Sequence, residues 1–128
     1  MYKNHFVLGS IYCGIAVVLG AFGAHALKAI LTQESLQSFQ TAVQYQLIHG
    51  VAILVVGLLH MHTQNGKLLL VEKLFSSGIL CFSGSIYLLT FLKYQQIEFP
   101  SIIALVTPIG GLLMILGWFS LAWSFLRK

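Results

Sequence analysis

The chain has 128 residues, of which 58% are hydrophobic and 8% charged, with a formal net charge of +4. Water-soluble domains carry roughly 25% charged residues, so a soluble fold would have no surface for this much apolar area, and the length allows one compact unit without a separate soluble domain. The 7 Lys and Arg residues lie at the ends of apolar runs and form no patch, so the positive charge does not read as a nucleic-acid signature.

Phe6–Leu27, Val43–Met61, Leu74–Leu92 and Ser101–Phe125 contain no Asp, Glu, Lys or Arg. Each is about the 20 residues that a helix needs to cross a bilayer. A backbone in lipid must satisfy its own hydrogen bonds, and continuous apolar runs suit helices where a barrel needs short alternating segments. The expected fold is all-α: an antiparallel four-helix transmembrane bundle forming a single domain over residues 1–128, with spans of about 6–27, 43–61, 74–92 and 101–125.

In the first span, Lys3 precedes the apolar stretch and Ala24-His25-Ala26 has the form of a signal-peptide cleavage site. An h-region has about 7–15 residues, so the longer run reads as a retained span. Ala16, Gly20 and Ala24 recur every four residues, a small-residue stripe that lets helices approach closely in lipid. Cys13, like Cys81 further on, reads as a small apolar side chain.

Thr32 suits a helix cap, with Glu34 in the following turn. The helix so started is amphipathic: Leu36, Phe39, Val43 and Leu47 share a face, and Gln33, Gln37, Gln40 and Gln44 supply polar positions. No Pro interrupts it, so one helix is expected from about Glu34 to about His62, its first two turns at the outer membrane interface. His60 and His62 point to different faces and read as interfacial anchors.

Asn65-Gly66 marks the next turn, and the third span is expected from Val71 or shortly after. Ser77, Cys81 and Ser85 form a second small-residue stripe. Lys93–Pro100 is the outer loop, and Pro100 suits a helix start. Pro108, followed by Gly110-Gly111, favours a kink in the fourth span.

Lys3, Lys67, Lys73, Arg127 and Lys128 fall on one side of this arrangement and Lys28 and Lys93 on the other, which places both termini in the cytoplasm. Trp118, Trp123 and Tyr2 then lie toward the inner interface and Tyr94 toward the outer.

Polar residues inside the spans gather toward the outer half. Counted from the outer ends of the apolar runs, His49 and Thr107 lie roughly 9 Å deep and Ser85 roughly 10 Å, with Tyr87 shallower and His25 at the mouth of the first span. Thr41, Tyr45 and His49 follow one another at i, i+4 and i+8 on one helix face. The inner half reads as Leu, Ile, Val, Phe and Gly.

Three readings of His25, Thr41, Tyr45, His49, Ser85, Tyr87 and Thr107 follow. Membrane helices use such groups to hydrogen-bond one another, which makes the cluster packing and the protein a structural or partner-binding component. The same groups could line an outward-facing pocket for small-ligand binding or proton-linked permeation. His25 and His49 could also serve as a haem axial pair or bind metal. Zinc takes more ligands than these two, and no cofactor is predicted. No GxSxG, P-loop or HExxH motif occurs, and Glu34, Glu72 and Glu98 fall in loops or at helix ends, so no catalytic role is assigned. The expected partners are the lipid bilayer and, through the small-residue stripes, a second copy or another membrane protein.

Gly20-Ala-Phe-Gly-Ala-His-Ala-Leu-Lys28, Phe39-Gln-Thr-Ala-Val-Gln-Tyr45 with His49, Ser83-Gly-Ser-Ile-Tyr87 and Thr107-Pro-Ile-Gly-Gly111 occur in that order. Together they resemble the signature segments of the YwdK/YgdD family of small bacterial multi-pass membrane proteins, and the resemblance covers essentially the whole chain. It implies four spans and a plasma-membrane location and specifies no activity.

Overall fold

The computed structural model describes residues 2–126. The interfacial side chain of Tyr2 and the charges of Arg127 and Lys128 lie outside the described residues.

The chain folds into helices α1 (Tyr2–Ala24), α2 (Ala26–Ile30), α3 (Gln33–Thr63), α4 (Lys67–Tyr94) and α5 (Ser101–Leu126). The first two are separated at His25 and together make one of four segments long and apolar enough to cross a membrane. Thr32 caps α3: its hydroxyl accepts from the Ser35 backbone N–H at 3.1 Å, satisfying one of the donors left open at a helix start. At the other end of α3, Gln64 turns left-handed and its N–H bonds to His60 O at 2.8 Å. Asn65 then starts α4, its Oδ1 accepting from Lys67 N at 3.0 Å. Its Nδ2 donates to Ser124 O at 3.0 Å, which ties this turn to the end of α5. The end of α4 is a Schellman closure: Gln96 is left-handed, Ile97 N bonds to Leu92 O and Gln96 N to Lys93 O. α5 remains helical across Pro108.

The helices pack in the order α1 on α3, α3 on α4 and α4 on α5, and the end members α1 and α5 share no comparable contact. Glycines set the closest approaches. A methyl group on Gly9 would stand 2.8 Å from Gly50 O, and one on Gly50 would stand 2.8 Å from Cys13 Sγ, so α1 and α3 nearly touch backbones. A methyl on Gly110 would stand 2.2 Å from the Phe82 backbone nitrogen across α4 and α5. In lipid no hydrophobic force drives helices together, so such contacts and interhelical hydrogen bonds supply the association. The expected stripe in the first span is only partly used: Ala16 is buried and Gly20 faces Val43, whereas Ala24 is exposed. Phe39, Ala42, Ile53, Val56, Phe75, Ile79 and Met114 form much of the buried interior. The outward faces carry Val17, Leu80, Ile102 and Phe119, an apolar surface suited to lipid.

Two expectations require correction. The level of His49 relative to Ser85 and Thr107 is one. Ser83 Oγ donates to Ala42 O at 2.7 Å, which sets Ala42 of α3 beside Ser83 of α4. The polar first turns of α3 therefore run alongside the Tyr94 end of α4. His49 packs against Phe75 and Trp118, whereas Ser85 pairs with Thr107 nearer the Tyr94 end. Phe75 lies ten residues before Ser85, so His49 and Ser85 stand about 15 Å apart along α4.

The apolar inner half is the other. Glu72 belongs to neither a loop nor a helix end: it lies in the second turn of α4 and is buried. His60 is buried with it, so His60 is no interfacial anchor, while His62 is exposed. His5, near the start of α1, is buried at the same end. The apolar runs, delimited at the nearest charge, excluded Glu72 although helix α4 continues past it.

Candidate functional site

The inward face of α3 is the seam Phe39, Ala42, Gln46, His49, Ile53, Val56 and His60, whose spacings of three and four keep one stripe toward the neighbours. Steps of four alone drift around the helix, so of Thr41, Tyr45 and His49 only His49 lies on that seam. Thr41 is exposed and Tyr45 half-exposed, whereas His49 is buried.

Gln46, a residue not expected to matter, stands at the centre. Its Nε2 donates to Tyr12 O of α1 at 2.9 Å, and its Oε1 accepts from the Tyr87 hydroxyl of α4 at 2.7 Å. One buried amide thus joins α1, α3 and α4. The signal was present in the sequence: Gln46 falls on the 39-42-46-49 seam, where a polar residue must find partners.

His49 joins α3 to α5. Trp118 Nε1 donates to His49 Nε2 at 3.0 Å, and His49 Nδ1 lies 2.8 Å from Tyr45 O. An indole N–H can only donate and a carbonyl can only accept. The ring is therefore the neutral tautomer with its proton on Nδ1, and both nitrogens are engaged. Phe75 meets the ring edge-on with centroids 5.4 Å apart, and Tyr45 stacks on it at 5.9 Å. Trp118, expected at the inner interface, thus serves an internal bond.

Closer to the Tyr94 end of α4, Ser85 Oγ is hydrogen-bonded to Thr107 Oγ1, joining α4 to α5. Ser85 Oγ also donates to Phe82 O at 3.0 Å. Tyr12 reaches across from α1 to α4, its hydroxyl 2.9 Å from Ser76 Oγ. Tyr45 and Phe82 pack with centroids 4.9 Å apart, and Phe39 and Tyr87 at 5.3 Å.

His25 does not join this network. It is exposed where α1 meets α2, beside Val18, Ala21, Phe22 and Ala26. Of the expected pocket residues, His25 borders an open apolar cleft of about 440 Å³, and Thr107 borders one of about 230 Å³ that Ser35, Ser38, Thr90 and Lys93 also line. A neighbouring cleft of about 410 Å³ shares Ser35 and Lys93 and adds Thr32 and Glu34. Among the described residues, no group of three or more His, Cys, Asp or Glu side chains has the arrangement of a metal site.

Comparison with known proteins relates the chain to proteins named as membrane proteins. A family described as "Protein of unknown function (DUF423)" matches residues 19–111. The chain is 38% identical over 123 residues to a UPF0382 membrane protein of Haemophilus influenzae, covering 96% of this chain and 91% of that protein. It is 37% identical over 125 residues to a UPF0382 membrane protein of Staphylococcus epidermidis, covering 98% and 97%. It is 38% identical over 117 residues to the UPF0382 membrane protein YwdK of Bacillus subtilis, covering 91% and 90%. No solved structure matches the chain.

Proposed function

The chain belongs to the DUF423 family, and from that premise we propose that this small integral membrane protein is a structural component of the bilayer, a pre-assembled helical unit whose polar groups hold its own helices in register. The observation that carries the reading is the engagement of His49 on both sides, by Trp118 and by the Tyr45 carbonyl. A histidine so held has no free nitrogen to accept a substrate proton or to ligate haem iron with His25. Gln46, Tyr87, Ser83, Ser85 and Thr107 are likewise spent on neighbouring helices. Such bonds contribute about 0.6 kcal/mol each on average in membranes, and several together fix one packing.

In this reading the protein needs no cofactor. It lies in the bacterial plasma membrane, and its partners are lipid and a second copy or another membrane protein meeting the outward faces of α1 and α5. Both termini are cytoplasmic in this reading: Lys3, Lys67 and Lys73 stand at one end of the bundle, Arg127 and Lys128 follow α5 in sequence, and only Lys28 and Lys93 belong to the other end. Membrane-impermeant labelling of single cysteines at Gln64 and Gln95 checks the orientation, with Gln95 labelled from outside.

The test of the structural role is His49→Ala in proteoliposomes under a pH gradient. A fall in thermal stability without change in proton or solute flux is expected. A flux present in the native protein and abolished in this variant overturns the reading.

The outer cleft favours a second reading, small-ligand binding at Ser35, Ser38, Thr90, Lys93 and Thr107. Protection of Lys93 from an amine-reactive reagent by added solutes would support it, and uniform reactivity would dismiss it.

A further inference from the structure

At the end of the bundle opposite the cleft lined by Lys93, three ionisable side chains from three helices meet in largely buried positions. His5 of α1 is 1% exposed, His60 of α3 6% and Glu72 of α4 9%. His5 Nε2 stands 3.0 Å from His60 Nδ1. His5 Nδ1 stands 3.9 Å from Glu72 Oε1 and has no hydrogen-bond partner. Buried polar atoms are almost always paired, and ionisable residues within a membrane are functional by default.

We infer that His5, His60 and Glu72 form a proton-binding site, with His5 as the imidazole that takes the proton between its two neighbours. The chemistry follows from the atoms. With both imidazoles neutral, a single N–H joins them. If His5 Nε2 carries it, Nδ1 is a bare lone pair aimed at an acidic oxygen. If His60 Nδ1 carries it, the proton on His5 Nδ1 stops short of the carboxylate. One proton passed from hydronium onto the first of these states makes an N–H bond at His5 Nδ1, breaks an O–H bond of the hydronium and releases water. His5 then donates through Nε2 to His60 and through Nδ1 to Glu72, closing the 3.9 Å gap, and the imidazolium is balanced by the carboxylate. That is the arrangement in which the orphaned atom is satisfied.

Among the described residues, the other charged or titratable side chains near this end are Lys3 on α1, His62 on α3 and Lys67 and Lys73 on α4, all exposed, and α5 brings none between Ser101 and Leu126; the positive amino terminus also acts on His5. The proton therefore has the three buried groups as its immediate partners. Because each belongs to a different helix, its binding tightens α1 against α3 and α4, and its release loosens that end. The site is separate from the network around His49.

The experiment is a pH titration of the full chain in lipid nanodiscs, following the ¹⁵N resonances of the histidine rings and the ¹³C resonance of the Glu72 carboxylate. His5, His60 and Glu72 are expected to respond in one shared transition within the range where histidine changes charge, about pH 5 to 8. Glu72→Gln keeps the side-chain shape and removes the balancing charge, and it is expected to weaken proton binding by the pair about tenfold or more. His62→Gln, on the exposed side of the same turn, is expected to leave the transition in place. Independent titration of the two rings, absence of any joint response in the native protein, or a Glu72→Gln protein with an unmoved transition overturns the proposal. The native titration decides by itself if the variant does not fold.

Discussion

Gly110 and Phe82 bring the backbones of α5 and α4 together: a single methyl group on Gly110 would reach within 2.2 Å of the Phe82 nitrogen. No side-chain rotation relieves a clash with backbone, so Gly110→Ala must push the helices apart and strain the Ser85–Thr107 bond beside it. Overpacking costs about 1–3 kcal/mol. The thermal midpoint in detergent is expected to fall by several degrees, whereas Gly14→Ala, which meets nothing within 4 Å, is expected to leave it unchanged. Equal midpoints for the two variants would refute the close approach.

The His49–Trp118 bond predicts coupling between positions 69 residues apart in sequence. Trp118→Phe keeps an aromatic ring against Phe75 and removes the donor. A double-mutant cycle with His49→Gln is expected to give an interaction energy of about 0.6 kcal/mol and at most about 1.7, measured by unfolding in mixed detergent. Strict additivity would show that the two side chains act independently.

Tyr87 and Tyr45 should differ sharply. Tyr87→Phe leaves the Oε1 of buried Gln46 without its donor at 2.7 Å, a cost of about 1–3 kcal/mol for an unsatisfied buried acceptor. Tyr45 is 41% exposed and keeps its ring contacts as Phe, so Tyr45→Phe is expected to be near neutral. Thermal unfolding of the two variants side by side checks the ranking, and a larger loss at Tyr45 would contradict the assigned network.

Asn65 should matter beyond its size. Asn65→Ala removes both the acceptor for Lys67 N and the donor to Ser124 O. Loss of such a cap costs about 1 kcal/mol. Amide exchange at residues 66–68 and at the end of α5 is expected to rise together. A rise confined to the turn would mean that the tie to α5 contributes nothing.

The four spans, the long α3 and the turn at Asn65 were legible because each depends on neighbours in sequence: apolar length, a Thr32 cap, an uninterrupted helical stretch. The identity of the polar partners was not. Gln46 was not singled out beside Gln33, Gln37, Gln40 and Gln44, although its seam spacing pointed to burial. His5 drew no reading from the sequence, and Glu72, beside Lys73 at the margin of an apolar run, was read as belonging to a loop or helix end. His25 looked like a companion of His49, and its place at the α1–α2 junction leaves it on the outside.

By itself the sequence determined that the chain is a helical membrane protein, because the cost of bringing unpaired backbone and charge into lipid leaves no other arrangement for four such runs. The tertiary structure decided which polar groups meet. That depends on the sliding register between helices, set by glycine contacts and by bonds such as Ser83 to Ala42. A shift of two helical turns changes every partner while leaving the apolar pattern of each span the same. The height of His49 relative to Ser85 and the burial of His5, His60 and Glu72 were settled at that level.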